Sequence, residues 1–148
     1  MTISRIYLDL CALKRSYDDR TQARIRLERE AVKVILQRVH DGGLEACNSS
    51  ALEEENEQNP LAERRERTAE LLRRFRPYVS YGPEIESGAL RLEALGFGAY
   101  DAVHLASAHH GKAAVFVTCD DGLMRRWRRY GSPFPMRALN PVDFARES

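Results

Sequence analysis

The sequence predicts an α/β fold built on a parallel sheet, and three observations carry that prediction. Short apolar runs of strand character alternate with longer segments whose apolar residues recur at helical spacing, the pattern left by strands joined through crossover helices. Turn signals such as Gly42-Gly43 and Asn59-Pro60 fall between those segments. Two aspartates, Asp9 and Asp120, close apolar runs, and ligands of such sheets gather at the carboxyl ends of strands.

Residues 3–9 form the first strand. Residues 10–20 read as a loop with a helical turn that ends in Asp18-Asp19-Arg20. From Thr21 to His40, Ile25, Leu27, Ala31, Val32, Val34, Ile35, Leu36 and Val39 keep helical spacing, and Gly42-Gly43 stops the helix. Leu44 to Cys47 is a second strand. Ser50 opens a helix that Asn59-Pro60 ends. Leu61 to Phe75 is a charged helix with Ala62, Leu71, Leu72 and Phe75 on its apolar side. Tyr78 to Tyr81 is a third strand, followed by helices near 83–95 and 100–110 around Gly96-Phe97-Gly98. Val115 to Thr118 is a fourth strand, residues 121–130 a helix, and Met136 to Leu139 a fifth strand.

At 148 residues the chain is expected to form one domain, residues 1–148, burying about two thirds of its unfolded surface. Lys plus Arg number 23 against 22 for Asp plus Glu, a balance that argues against bulk attraction to nucleic acid and leaves local basic clusters to serve it. Cys11, Cys47 and Cys119 form no disulfide framework or paired metal-ligand motif, which fits a reducing, cytoplasmic setting. No leader pattern and no apolar run near ~20 residues occurs, so no membrane partner is expected.

Four acids repay attention: Asp9, Glu53, Asp101 and Asp120. Each has a plainer reading. Asp9 could cap the next turn, Glu53 completes a Ser50-Ala51-Leu52-Glu53 capping box, and Asp120 with Asp121 could cap a helix. Glu54, Glu55 and Glu57 leave open a solvated acidic face around Glu53. Asp101 is harder to dismiss, because the segment it enters, Ala102 to Ala108, is mostly apolar. Carboxylate oxygens suit hard cations such as Mg²⁺ or Mn²⁺, and clustered carboxylates stay ionised cheaply only beside a cation. One acid after the first strand, one on a following helix, one on a late apolar helix and one after the next strand form an ordered set, which unrelated caps account for less well than one shared site for metal-dependent phosphodiester cleavage.

The flanking residues sharpen this. Ile6-Tyr7-Leu8-Asp9, Ser50-x-x-Glu53, the run Tyr100-Asp101-Ala102-Val103-His104-Leu105-Ala106-Ser107-Ala108 and Val117-Thr118-Cys119-Asp120 together resemble the PIN-domain ribonucleases, which include the VapC-type toxins of toxin–antitoxin pairs. The resemblance spans residues 6 to 126 and is carried most specifically by the third and fourth motifs. It implies a three-layer α/β/α fold with a central parallel sheet. It also implies Mg²⁺ or Mn²⁺ held by Asp9, Glu53, Asp101 and Asp120, with Asp121 as an alternative fourth acid and Thr118 as a polar neighbour. RNA is the implied substrate class, a cognate antitoxin and a homodimer the implied partners. The sequence departs from VapC-type enzymes after the first aspartate, where Leu10-Cys11 replaces the usual Thr or Ser.

Arg125-Arg126-Trp127-Arg128-Arg129 could meet RNA, with Arg125 and Arg126 on phosphates. Trp127 shares helical spacing with Leu123 and Tyr130, so core packing is its better reading. The arginines of 64–76 are interleaved with glutamates as on a solvated helix. His104, one turn from Asp101, reads as a packed neighbour. Two other function classes stand beside the nuclease. A partner-binding module with little activity would bind Mn²⁺ poorly. A cysteine phosphatase would use Cys119 and Arg125 in a Cys-x-x-Gly-x-x-Arg loop, but Asp120 and Asp121 inside that loop would repel a phosphate.

Overall fold

The computed structural model describes residues 3–17, 21–130 and 133–147. Asp18-Asp19-Arg20, the end of the expected first loop, lies outside them. Four strands form the main sheet: β1 Ser4–Leu8, β2 Leu44–Ala46, β5 Val115–Val117 and β6 Arg137–Leu139, all parallel in the order β2-β1-β5-β6. The middle strands are buried on both faces, with Ile6, Tyr7, Leu8, Phe116 and Val117 all 0% exposed, as unbroken apolar runs at the centre of a parallel sheet require. Each such side chain contributes about 1.5–3 kcal/mol through burial. Register does the rest: Leu8 lies beside Val117, so the residues that follow, Asp9 and Thr118, leave the sheet together.

Helices flank the sheet in a three-layer α/β/α arrangement. They are α1 Leu10–Leu13, α2 Ala23–His40, α3 Ser50–Glu57, α4 Ala62–Arg73, α5 Pro83–Ala94, α6 Ala99–His110, α7 Asp121–Arg129 and α8 Pro141–Glu147, with a 3-10 turn at Lys14–Tyr17. Gly42, at φ +84°, ends α2 as predicted. Its amide donates to the Val39 carbonyl and that of Gly43 to Arg38, the paired bonds of a left-handed helix stop.

Three expectations are corrected. The strand placed at Tyr78 to Tyr81 shrinks to Tyr78–Val79 (β4) and leaves the main sheet to pair with β3, Asn48–Ser49, an element not foreseen. The backbone explains the switch, because the Cys47 amide still donates to Ile6 on β1 while that of Asn48 turns to Pro77. Helix α8 was not expected; Asn140 starts it by accepting the Val142 amide at 2.8 Å. On α2, Ala31, Val32 and Ile35 are buried, but Leu27 and Val34 face solvent and Glu28 takes a buried place at 1% exposure.

Candidate active site

The site begins where β1 and β5 end. The Asp9 amide donates to the Val117 carbonyl, extending the ladder by one residue. Asp9 caps α1 by accepting the Leu10 amide on Oδ1 at 2.9 Å. Its Oδ2 accepts the Thr118 hydroxyl at 2.9 Å and the Cys11 thiol at 3.3 Å. The capping reading and the site reading of Asp9 therefore hold together, one oxygen serving each. Cys11, two residues after Asp9, supplies the second of these donors. Its contact with Cys119, burial and the charge of Asp9 push its thiol far above the ordinary range, so it stays protonated. The Thr118 hydroxyl also accepts the Asp120 amide at 3.1 Å, tying the two strand ends together. Asp120 caps α7 through the Leu123 amide.

Asp101 projects from the first turn of α6. Burial, then the charges of Asp9 and Asp120, push its carboxyl up to about 6. Asp9, Asp101 and Asp120, distant from one another along the chain, thus share one electrostatic neighbourhood. Glu55 raises Asp101 further, and His104 pulls it down.

Glu55 belongs to a buried chain of hydrogen bonds that the sequence did not announce. Ser49 Oγ lies 2.7 Å from the Tyr7 hydroxyl, Tyr7 lies 2.7 Å from His104 Nδ1, and His104 Nε2 lies 3.1 Å from Glu55. His104 is a packed, hydrogen-bonded neighbour as expected, at 1% exposure. Burial works against the Glu55 charge, but the His104 hydrogen bond and charge, with Lys14, outweigh it and hold the carboxyl below its ordinary range. Glu55 thus acts on Asp101 through charge, the one carboxyl lowered and the other raised, a contrast that functional carboxylates often show.

Glu53 sits differently. Its carboxylate accepts the Asn48 side-chain amide at 3.1 Å and the Tyr78 hydroxyl at 3.0 Å. The capping box read on Ser50 is also displaced: Ser49 is the cap and accepts the Leu52 amide at 3.0 Å. Asp121 receives both guanidinium nitrogens of Arg24, at 2.7 and 2.8 Å, and that pairing holds its carboxyl below the ordinary range. Arg126 donates to the Gly96 carbonyl and lies over the Phe97 ring, 5.8 Å from its centroid. Arg125 is exposed on the same helix. Trp127 is core, as its spacing predicted, at 1% exposure. The Cys119–Arg125 loop makes a poor phosphate cradle, because Cys119 is buried and Asp120 already takes the Leu123 amide.

Among the described residues no three histidines, cysteines or acids are drawn close enough to form a ready-made metal cage. The carboxylates instead act on one another through charge, and an oxygen donor set under mutual repulsion fits a hard cation. Among the described residues no helix is long and apolar enough to cross a membrane.

Known proteins add to this geometry. The family model for the PIN domain matches residues 6–129. Among solved structures, the chain is similar to one in the crystal structure of FitAcB from Neisseria gonorrhoeae, at 13% identity and a TM-score of 0.59 over 92% of this chain and 97% of that one. At that identity the likeness speaks for the fold. No curated protein matches the chain.

Proposed function

The chain belongs to the PIN domain family, and from that premise we propose that it is a divalent-metal-dependent endoribonuclease using Mg²⁺ or Mn²⁺. The observation that carries this reading is the PIN match over residues 6–129, with Asp9 and Asp120 placed after β1 and β5 and both acting through charge on Asp101 in the first turn of α6. An aspartate kept in so unfavourable a place is suited to a cation. Asp9, Asp101 and Asp120 would hold the metal, with one glutamate of α3 beside them. The chemistry such an ion would supply there is activation of a water and an offset to charge on the phosphate. The protein's own part is orientation. Thr118 and Cys11 fix the Asp9 carboxylate, Thr118 also holds the Asp120 backbone, and His104 anchors Glu55. Arg125, exposed on α7, would meet substrate phosphate. No side chain needs to act as a nucleophile.

Which glutamate of α3 takes part can be decided by substitution. Glu53 follows from the family motif, but its oxygens are engaged by Asn48 and Tyr78, whereas Glu55 acts on Asp101. Glu55→Gln is expected to lower cleavage about 100-fold, roughly 2.7 kcal/mol of transition-state stabilisation, and Glu53→Gln to stay within about threefold. Rates with saturating Mn²⁺ decide it; the reverse order restores Glu53.

The function itself is tested by incubating the purified protein with mixed single-stranded RNA, or DNA of matching sequence, in Mn²⁺, Mg²⁺ or chelator. Metal-dependent RNA cutting supports the proposal, and a preference for DNA moves the substrate. A second reading, a partner-binding PIN module with little activity, draws on the apolar pocket between α3 and α6, where Tyr81 and Tyr100 are 53% exposed at the rim. Absence of both cutting and Mn²⁺ binding would favour it. The VapC-type resemblance extends the proposal to a toxin role, with a cognate antitoxin and a homodimer as partners.

A further inference from the structure

One guanidinium reaches both sides of Asp120. Arg24 forks onto Asp121 at 2.7 and 2.8 Å, and its Nη2 also donates to the Cys119 carbonyl at 3.1 Å. We propose that Arg24 is a positioning residue for Asp120, fixing the β5–α7 turn through the residue before it and the residue after it. The proposal rests on the reading of Asp120 as a metal-site acid.

Arg24 can do this because it is itself anchored. Its Nε donates to Glu28 at 3.2 Å. Glu28 is 1% exposed, and a charge buried to that degree needs partners. They come from three directions: Arg15 at 2.9 Å, Arg24, and the side-chain amide of Asn140. The anchor therefore joins the segment after α1, helix α2 and the start of α8. Seen from the turn, Thr118 holds the Asp120 amide on the inner side and Arg24 holds the flanking groups on the outer side. An exposed ion pair adds little stability. Its fork, however, constrains direction, and a lysine could not reproduce it. The same contact gives Asp121 a use. The second acid of the Asp120-Asp121 pair serves as the handle by which the first is held.

The test is Mn²⁺ titration calorimetry on the parent, Arg24→Gln, Asp121→Asn and the double variant, with amide exchange at Leu123 followed in chelator. Leu123 is the reporter because its amide donates to Asp120 Oδ1. Each single change is expected to raise the Mn²⁺ dissociation constant about 10-fold. The double variant should be no worse than either, since one interaction is removed twice. The unfolding midpoint in chelator should barely move, because Glu28 keeps Arg15 and Asn140. Leu123 exchange should quicken in Arg24→Gln. If Asp121→Asn weakens Mn²⁺ while Arg24→Gln does not, Asp121 is itself a ligand and the proposal falls. Additive losses, or unchanged Leu123 exchange, overturn it as well. Should the parent bind no Mn²⁺, the metal reading fails. Leu123 exchange then decides the clamp alone: faster in Arg24→Gln upholds it, unchanged removes it.

Discussion

Asp101→Asn is expected to abolish metal-dependent cleavage while making the metal-free protein more stable at neutral pH. The loss of activity follows from the ligand set. Asparagine keeps the volume but gives up the charge that a divalent cation and its bound water require, a loss of several kcal/mol, or about 10²–10³-fold in rate. The gain in stability follows from the direction of the shift. The Asp101 carboxyl titrates near 6 in the folded chain against an ordinary 3.8. A group raised by folding adds stability that is complete below about pH 4 and lost as the pH climbs through about 6. Above that, the ionised carboxylate costs on the order of 1–2 kcal/mol once solvent screening at a half-buried group is allowed for. The variant avoids that cost, so its unfolding midpoint in chelator at pH 7.5 should exceed the parent's by roughly 3–8 °C. The two midpoints should converge near pH 4. Excess Mn²⁺ should reverse the order, since a ligand at 100 times its dissociation constant adds about 2.7 kcal/mol only to the protein that binds it. A variant that cuts RNA as well as its parent would remove Asp101 from the site.

What could be seen in the sequence depended on how local its cause was. Asp9 and Asp120 were visible because ending a buried strand is a property of a few neighbouring residues, and the sheet register then brings Asp9 beside Thr118. Asp101 was visible because a charge entering an apolar helix is conspicuous in the chain itself. Which acid of α3 acts on the Asp101 charge was not, because it turns on a one-residue question. Ser49 rather than Ser50 caps the helix, and each step along a helix rotates the side chain by about 100°. Glu53, Glu54 and Glu55 therefore present three different faces, and only the buried line from Tyr7 through His104 shows which one Glu55 takes. Glu28 was hidden for a related reason. Apolar periodicity favoured Leu27, yet Arg24 one turn away on α2 and two donors from other segments, Arg15 and Asn140, make burying Glu28 tolerable. The two-residue strands β3 and β4 carry too little pattern to be read at all, since their pairing is set by where the chain leaves β1.

Trp127→Ala is expected to destabilise the protein by about 3–5 kcal/mol, the largest effect on stability among these substitutions. The ring is 1% exposed. It stands edge-on to Phe97 and tilted against Phe134, each 6.1 Å away between ring centres. Its indole N–H donates to the Met136 carbonyl at 2.9 Å, joining α7 to the approach to β6. Truncation would empty that space and strip the carbonyl of a donor at once. Trp127→Phe separates the two effects: most of the ring remains, and the missing donor costs about 1–3 kcal/mol. Chemical denaturation of the parent and both variants reads these values. The outcome also bears on RNA, because a tryptophan amid arginines could be taken for a base-stacking platform. A ring this deeply enclosed can reach a base only if α7 leaves the sheet. Asp120, at the other end of α7, is held by Thr118 and by the neighbours that Arg24 grips. Cleavage per folded molecule should therefore persist in Trp127→Phe under conditions where it stays folded. A Trp127→Ala protein with an unchanged unfolding midpoint and weakened RNA binding would reverse the assignment and make α7 a nucleic-acid face in its own right.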